Sequence, residues 1–448
     1  MLRNNSGIDT VFSLILPIAI GIKPGLRGFA RFYIMILYLR NCVQKSRSNT
    51  LSTLLFYCLL LTRQLNIVMP EVLSRASRVP VLSGSPPKDC GNDKLRKFVA
   101  EVIIFTTLFF ALSLNAFAGH LEPFKAAPIP KHNPQTPEKI ELGKKLFFDR
   151  RLSGDSTMSC ATCHMPELSF TDGQDISLSY PTTKNWRNSP TLINVVFQKY
   201  LFHDGRVKTL EDQALFPMMS AFEMNKNLDF LEEQIRVVPE YVEAFKKVFN
   251  GEVTRERIAM AIAAFERTLI SRNSPLDKYL AGDKNALSSD ARKGLEIFIG
   301  KGECTECHHG VNLADNKFYA LNVPENPVLL NEPGVTATMR FVAKVYHYKD
   351  YRNLKEDPGR YLITKDKMDW KAFRTPTLRD ISKTAPYMHN GVFGTLDEVV
   401  EFLDKGGGKG NKALKPLGLS AEEKRFLKTF LVEALSGEDI VIKYPEIP

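Results

Sequence analysis

Cysteine, tryptophan and unbroken apolar sequence are all scarce in this chain. Its 448 residues include only 7 cysteines and 2 tryptophans. Cys42, Cys58 and Cys90 lie towards the N-terminus, so four cysteines serve everything after residue 118. Four are too few for a general disulfide framework over so long a segment, and they need another use. Apolar runs occur at 11–39 and 51–61, but Lys23, Arg27 and Arg31 interrupt the first. The second is shorter than the roughly 20 residues that a membrane span needs. Net charge is missing from most of the chain as well. Residues 1–118 hold 14 Lys/Arg against 5 Asp/Glu, whereas 119–448 hold 46 against 45. All but one of the net positive charges therefore belong to the leader, and a basic nucleic-acid footprint on the body is unsupported. With 44% apolar and 25% charged residues, the composition excludes disordered and collagen-like classes. The length corresponds to about two to four domains.

The leader has its own signal. Lys94-Leu95-Arg96-Lys97 is a charged start, 102–114 is apolar, and Ala116-Phe117-Ala118 is a small-x-small cleavage pattern before Gly119. This order reads as a secretory signal peptide at 94–118 and implies export to the periplasm. A membrane anchor over 98–118 is the alternative, against which stand Glu101 and the A-x-A end. A signal that begins near residue 94 implies that 1–93 is an N-terminal extension absent from the mature protein. The competing reading is a membrane-anchored extension.

The four remaining cysteines form two identical patterns. Cys160-Ala161-Thr162-Cys163-His164 and Cys304-Thr305-Glu306-Cys307-His308 are both C-x-x-C-H. This is the attachment pattern of haem c: two thiols one helical turn apart bond the vinyl groups, and the adjoining histidine ligates the iron. A split zinc site and a redox dithiol are the alternatives. A dithiol does not need the following histidine, and zinc-binding pairs are usually closer in sequence.

The surroundings of the two motifs repeat. Gly143-Lys144-Lys145-Leu146-Phe147 precedes the first and Gly294-Leu295-Glu296-Ile297-Phe298 the second. Both are short amphipathic helix patterns in which glycine permits close helix–helix approach. The pattern predicts a helix over 256–270, stopped by Asn273-Ser274-Pro275, and a capped helix over 420–435 that begins Ser420-Ala421-Glu422-Glu423. Few segments alternate like strands. The expected fold is mostly α, with two tandem cytochrome c-type domains that each carry one covalent haem c. Their expected extents are 119–280 and 281–448, with the junction near 275–290.

Over 142–435 the chain resembles the bacterial diheme cytochrome c peroxidases and their relative MauG. The stretches that carry the resemblance are LGKKLFFDRRLSGDSTMSCATCH, RNSPTLINVVF, DGRVKTLEDQAL, AFERTLIS, FRTPTLRDISKTAPYMHNG and LKPLGLSAEEK. The resemblance implies a peroxide-reacting N-terminal haem, an electron-relay C-terminal haem and a calcium ion between them. It puts Gln213 and Glu223 at the distal peroxide site, where a proton must be moved and an oxygen oriented. It puts Asn188, Thr384 and Pro386 at the calcium positions, which suit a hard cation. His389 matches a histidine near the active site. Dimers are common among these relatives.

Three departures stand out. No histidine lies between His164 and His203 to cap the first iron, so its distal face is expected to be open. The inter-haem tryptophan of the family is His203 here, in His203-Asp204-Gly205-Arg206. That imidazole is left to hydrogen-bond a propionate, to titrate near neutrality or to be structural. The relay haem's distal ligand, Met in the peroxidases and Tyr in MauG, aligns with Leu403, which cannot ligate iron; Met388 is a substitute. The first functional reading is an exported peroxidase reducing hydrogen peroxide with electrons from a small cytochrome c or cupredoxin. A MauG-like oxidase acting on a protein substrate comes second, and a diheme electron carrier third.

Overall fold

The structure, a computed structural model, describes residues 121–448; the signal peptide and extension expected over 1–118 lie outside them. The described residues belong to one compact unit, 113–448. They form thirteen α-helices joined by long loops and short 3-10 turns, with one ladder of two-residue strands. The mostly helical expectation holds. Among the described residues no helix is long and apolar enough to cross a membrane.

The first half starts with α1 (Pro137–Phe148), where Thr136 caps the N-terminus and Pro137 takes the first turn. A single turn, α2 (Cys160–Cys163), carries the first cysteine pair. It is followed by α3 (Leu210–Met219), α4 (Leu228–Arg236), α5 (Pro239–Phe249) and α6 (Arg255–Glu266). The second half contains α7 (Pro275–Leu280), α8 (Ser289–Ile299), α9 (Pro327–Asn331), α10 (Pro333–Val345), α11 (Tyr361–Thr364), α12 (Leu396–Asp404) and α13 (Ala421–Thr429). A five-residue π-helical turn, Phe430–Ala434, prolongs α13.

One packing device occurs in both halves. A Cβ on Gly143 of α1 would stand 1.8 Å from the Ala261 carbonyl oxygen of α6. A Cβ on Gly294 of α8 would stand 2.1 Å from the Phe426 carbonyl oxygen of α13. Each glycine therefore lets two helix backbones touch, as the repeat in the sequence implies. Four residues further along each helix an aromatic pair locks the crossing. Phe147 meets Phe265 at 5.1 Å between centroids, and Phe298 meets Phe430 at 5.2 Å. Each crossing sits in its own core. One is built on Leu142, Leu146, Phe147, Ile258, Ile262 and Phe265, the other on Leu276, Leu295, Phe298, Leu427 and Phe430.

Two details differ from the sequence reading. The helix expected over 256–270 ends at Glu266, because the Thr268 amide and hydroxyl both donate to Phe265 O and tighten the chain into a turn. Asn194 then takes up Leu269 O at 2.8 Å. Ser274 does not merely stop the preceding helix; its reciprocal bonds with Asp277 start α7.

The halves are interlocked. The C-terminal segment returns to the first core, where Ile440 and Ile442 pack and Tyr444 lies 4.7 Å from Phe148. Strand β1 (Phe318–Tyr319) pairs antiparallel with β2 (Phe373–Arg374), and the Arg374 amide donates to His203 O at 2.8 Å. A third cluster gathers Trp186 with Val335, Met339, Val342 and Ala343 of α10.

Replacing Gly143 or Gly294 by valine forces each crossing apart. We expect a loss of about 1–3 kcal/mol or more, read as a lowered denaturant midpoint. Unchanged midpoints would show that neither crossing is tight.

Candidate functional site

The first C-x-x-C-H motif opens onto a cavity that is partly open to solvent. Cys160, Cys163 and His164 form one part of its wall. The one-turn helix α2 brings both sulfurs to the same side, and the His164 amide closes it by donating to Cys160 O at 3.0 Å. Nδ1–H of His164 donates to Phe170 O at 3.1 Å, which orients the ring and leaves Nε2 free. Burial lowers the proton affinity of this imidazole, so it is held in the neutral form that iron requires.

Gln213 and Glu223 line the same cavity. Gln213 comes from the first half of α3 and Glu223 from the turn beyond its end. Burial raises the affinity of Glu223 for its proton, opposed by the Arg206 guanidinium and the nearby Ser220 hydroxyl. A carboxyl that holds its proton more tightly in this way is suited to act as an acid.

The remainder of the wall is polar and comes from several loops. Arg374 is buried, its Nη1 donates only to Thr375 O at 3.1 Å, and burial pushes it down to about 10. Among the described residues no carboxylate pairs with it, so it offers uncompensated positive charge to an anionic group in the cavity. Arg206 lines the cavity too. Paired thiols, a neutral oriented imidazole and arginines for the two carboxylates of the macrocycle together fit a haem c.

The second motif is built alike. The His308 amide donates to Cys304 O at 2.8 Å, and its Nδ1–H donates to Leu313 O at 2.9 Å. The alternatives to haem attachment fare poorly at both motifs. Burial pushes the Cys163 and Cys304 thiols up to about 12, the reverse of a reactive dithiol. Among the described residues no three His, Cys, Asp or Glu side chains come together as a metal cluster, which removes the split zinc site.

Strand β2 and the residue after it connect the two motifs. Arg374 reaches the first cavity, while the neighbouring Thr375 hydroxyl donates to Asp315 at 2.8 Å. Asp315 in turn donates its amide to Cys307 O.

His203 also lines the first cavity, and its Nε2–H donates to Asn188 O at 3.0 Å. Of its three open readings, titration near neutrality is excluded: burial and the Arg187 charge push it down to about 4. His389 does not line the cavity. It is buried behind it, stacked on Phe373 at 3.6 Å, and is pushed down to about 3 chiefly by burial. Asn188 does line the cavity, and its amide donates to His389 O at 2.9 Å, which joins it to the loop that carries Thr384 and Pro386. The Asn188 side-chain nitrogen donates to Gln174 O at 2.7 Å. Leu403 is half-buried near the end of α12, and Met388 is half-buried with φ of 73°.

Sequence reasoning missed Arg374, Arg206 and Glu266 on the cavity wall, and the ion network behind it. In that network Arg187 grips Asp357 through two bonds of 2.6 and 2.9 Å and Asp204 through one of 2.7 Å. Trp186 Nε1–H also donates to Asp357, at 3.0 Å. Arg374 and Glu266 fall within the stretches FRTPTLRD and AFERTLIS, but no spacing singled them out.

Fold and motifs together define a two-site c-type cytochrome with one open, acid-bearing cavity. Residues 137–285 match the family model of the di-haem cytochrome c peroxidases, and the chain belongs to that family of oxidoreductases, which carry two haem c groups. It is 44% identical over 371 residues to cytochrome-c peroxidase IdrP1 of Pseudomonas sp. (strain SCT), covering 80% of this chain and 97% of that protein. It is 34% identical to the methylamine utilization protein MauG of Methylorubrum extorquens, covering 75% and 88%. A MauG-like protein associated with microbial copper homeostasis has a similar solved structure, with a TM-score of 0.60 at 29% identity, covering 71% and 94%.

Two expectations follow from the buried charges. Asp357→Ala leaves Arg187 in the interior with only Asp204, which it shares with Arg206, and should cost about 3–5 kcal/mol in unfolding free energy. A loss under about 1 kcal/mol would remove the network from the fold's supports. His203 and His389 are neutral when folded but bind protons near 6.5 when unfolded, so the unfolded state takes up more protons below that pH. Stability should therefore fall as the pH drops from about 6.5 towards 4, and less steeply in His203→Asn; identical slopes would exclude His203.

Proposed function

We propose that this protein is an exported peroxidase that reduces hydrogen peroxide to water with electrons from a small cytochrome c or cupredoxin. In this reading the N-terminal haem is the peroxide site and the C-terminal haem the electron relay. One observation carries it: Gln213 and Glu223, from different segments, share a cavity wall with Cys160, Cys163 and His164. An electron carrier has no use for a buried acid and an amide at an open iron face. When bound, the haems supply two redox-active irons, one open to peroxide and one exchanging electrons with the donor.

The chain's own groups would do the following. Cys160 and Cys163 hold the first haem and Cys304 and Cys307 the second, with His164 and His308 as the iron ligands. Glu223 gives its carboxyl proton to the departing peroxide oxygen, and the Gln213 amide orients that oxygen. Arg206 and Arg374 meet the carboxylates of the first haem. His203, neutral and fixed on Asn188 O, keeps the cavity wall in place. His389 acts from behind the wall, through its stack on Phe373. A calcium ion is part of the reading, held by the Asn188 amide oxygen and the Thr384 and Pro386 carbonyls; the Asn188 nitrogen is spent on Gln174, which leaves its oxygen for a hard cation. The leader pattern at 94–118 supports a periplasmic location.

The likeness to MauG keeps a second reading open, oxidation of a protein substrate. Stopped-flow mixing of the mature diferric protein with peroxide, then with reduced cytochrome c, separates the readings. Fast oxidation of the first haem and catalytic donor turnover are expected. A long-lived oxidised state without turnover would favour the oxidase, and inert haems would leave a carrier. Glu223→Gln should slow peroxide turnover by about 10²–10⁴-fold with both haems attached; near-normal turnover would take Glu223 out of the mechanism. His164→Gly should abolish peroxide reactivity while the spectrum of the His308-ligated haem persists. If reactivity survives, the two haem roles are reversed.

A further inference from the structure

Glu266 is an acid of the first cavity that none of these roles uses. It is the last residue of α6, is only 4% exposed, and lines the cavity together with Ile262 one turn earlier. Its Oε2 is buried without a hydrogen-bond partner. The charged groups around it are committed elsewhere. Arg267, next in the chain, holds Glu211 of α3 through bonds of 2.7 and 2.9 Å. Lys139 of α1 is spent on Asn133 Oδ1 and Pro134 O, at 3.0 and 2.8 Å. Cys160, facing it from α2, carries no charge. The carboxyl also sits at a helix C-terminus, where the backbone dipole disfavours negative charge. Burial pushes Glu266 up to about 8, with Glu211 adding to the effect and Arg267 opposing it.

We propose that Glu266 is the redox-coupled acid of the first haem site, taking up a proton when that site gains an electron and releasing it into the cavity when the site is oxidised. The physical reason is Coulombic. An electron added beside a buried carboxyl in a weakly screened interior makes the carboxylate less favourable, so proton and electron travel together. The coupling matches what peroxide consumes. Reduction of one H2O2 breaks the O–O bond and takes two electrons and two protons to give two waters. Oxidation of the first site by peroxide therefore frees a proton at the wall where the oxygens need one. The electron returned by the donor restores the proton affinity of Glu266. Refilling has a route, because Gln135 Oε1 and Arg267 Nη1 are also buried without partners near the end of α6, a setting that buried waters occupy. From there Glu211 leads to the exposed His132, 4.0 Å from its Oε1.

The proposal rests on the haem assignment and not on peroxide turnover. Its test is a spectroelectrochemical titration of the first haem in the mature di-haem protein between about pH 6 and 10. The potential should fall as pH rises over the range near 8, where Glu266 holds its proton in the reduced site and loses it in the oxidised one. E266Q should lose that fall. E211Q, which leaves the cavity wall intact but removes a neighbouring negative charge and frees Arg267, should keep the fall and start it at lower pH. An E266Q profile that matches wild type, or an E211Q onset that does not move, overturns the proposal. Infrared difference spectra give a second readout: a protonated carboxyl band at neutral pH should vanish in E266Q and survive in E223Q. A protein inert to peroxide would refute the peroxidase reading yet leave this titration interpretable.

Discussion

A single buried guanidinium holds the working part of this protein together. Arg187 lies between Asp357 and Asp204, and Arg206 completes the set by pairing with Asp204 at 2.9 Å. Two arginines and two aspartates cancel in charge, the condition for tolerating four ions in an interior. The segments they join have almost no regular structure. Residues 186–206 and the loop at 357 come from opposite halves of the sequence, and neither has a helix long enough to fix it. Directional, charge-assisted bonds do here what helix packing does elsewhere. Asn188, His203, Arg206 and Arg374 occupy their places on the cavity wall because this network positions the chain beneath them.

Around it stand two copies of one helix crossing. Gly143 with Phe147, and Gly294 with Phe298, use the same four-residue interval to bring backbones into contact and to lock them with an aromatic pair. Each crossing ends beside a cysteine pair, so the attachment turn rests on the stiffest part of its half. The C-terminal segment then returns to the first core, and β2 puts Arg374 at one motif and Thr375 at the other. Adjacent residues of one segment therefore reach both motifs.

The electrostatics of the cavity follow a common rule. Burial favours neutral forms, so Glu223 and Glu266 are driven towards protonation, and His164 and His203 towards the free base. Arginine alone stays charged, since its proton is held too tightly for burial to remove. The result is a wall that combines fixed positive charge with carboxyls of raised proton affinity.

Whatever depends on local spacing was legible in the chain. The two C-x-x-C-H turns, the glycine–phenylalanine helices, the Ser420 cap and the helical character of the whole are properties of a few consecutive residues, and all are present in the fold. Resemblance added Gln213 and Glu223, because the stretches around them are distinctive. The tertiary structure decided the rest. That His203 stays neutral, that Arg374 lacks an acid, and that Asp357 finds Arg187 across 170 residues all depend on burial and long-range contact. It also decided that Glu266, which in sequence is one polar residue at the end of an alanine-rich helix, faces the cavity without a partner. Burial and charge pairing depend on what surrounds a side chain, and those surroundings come from chain segments that no local window contains.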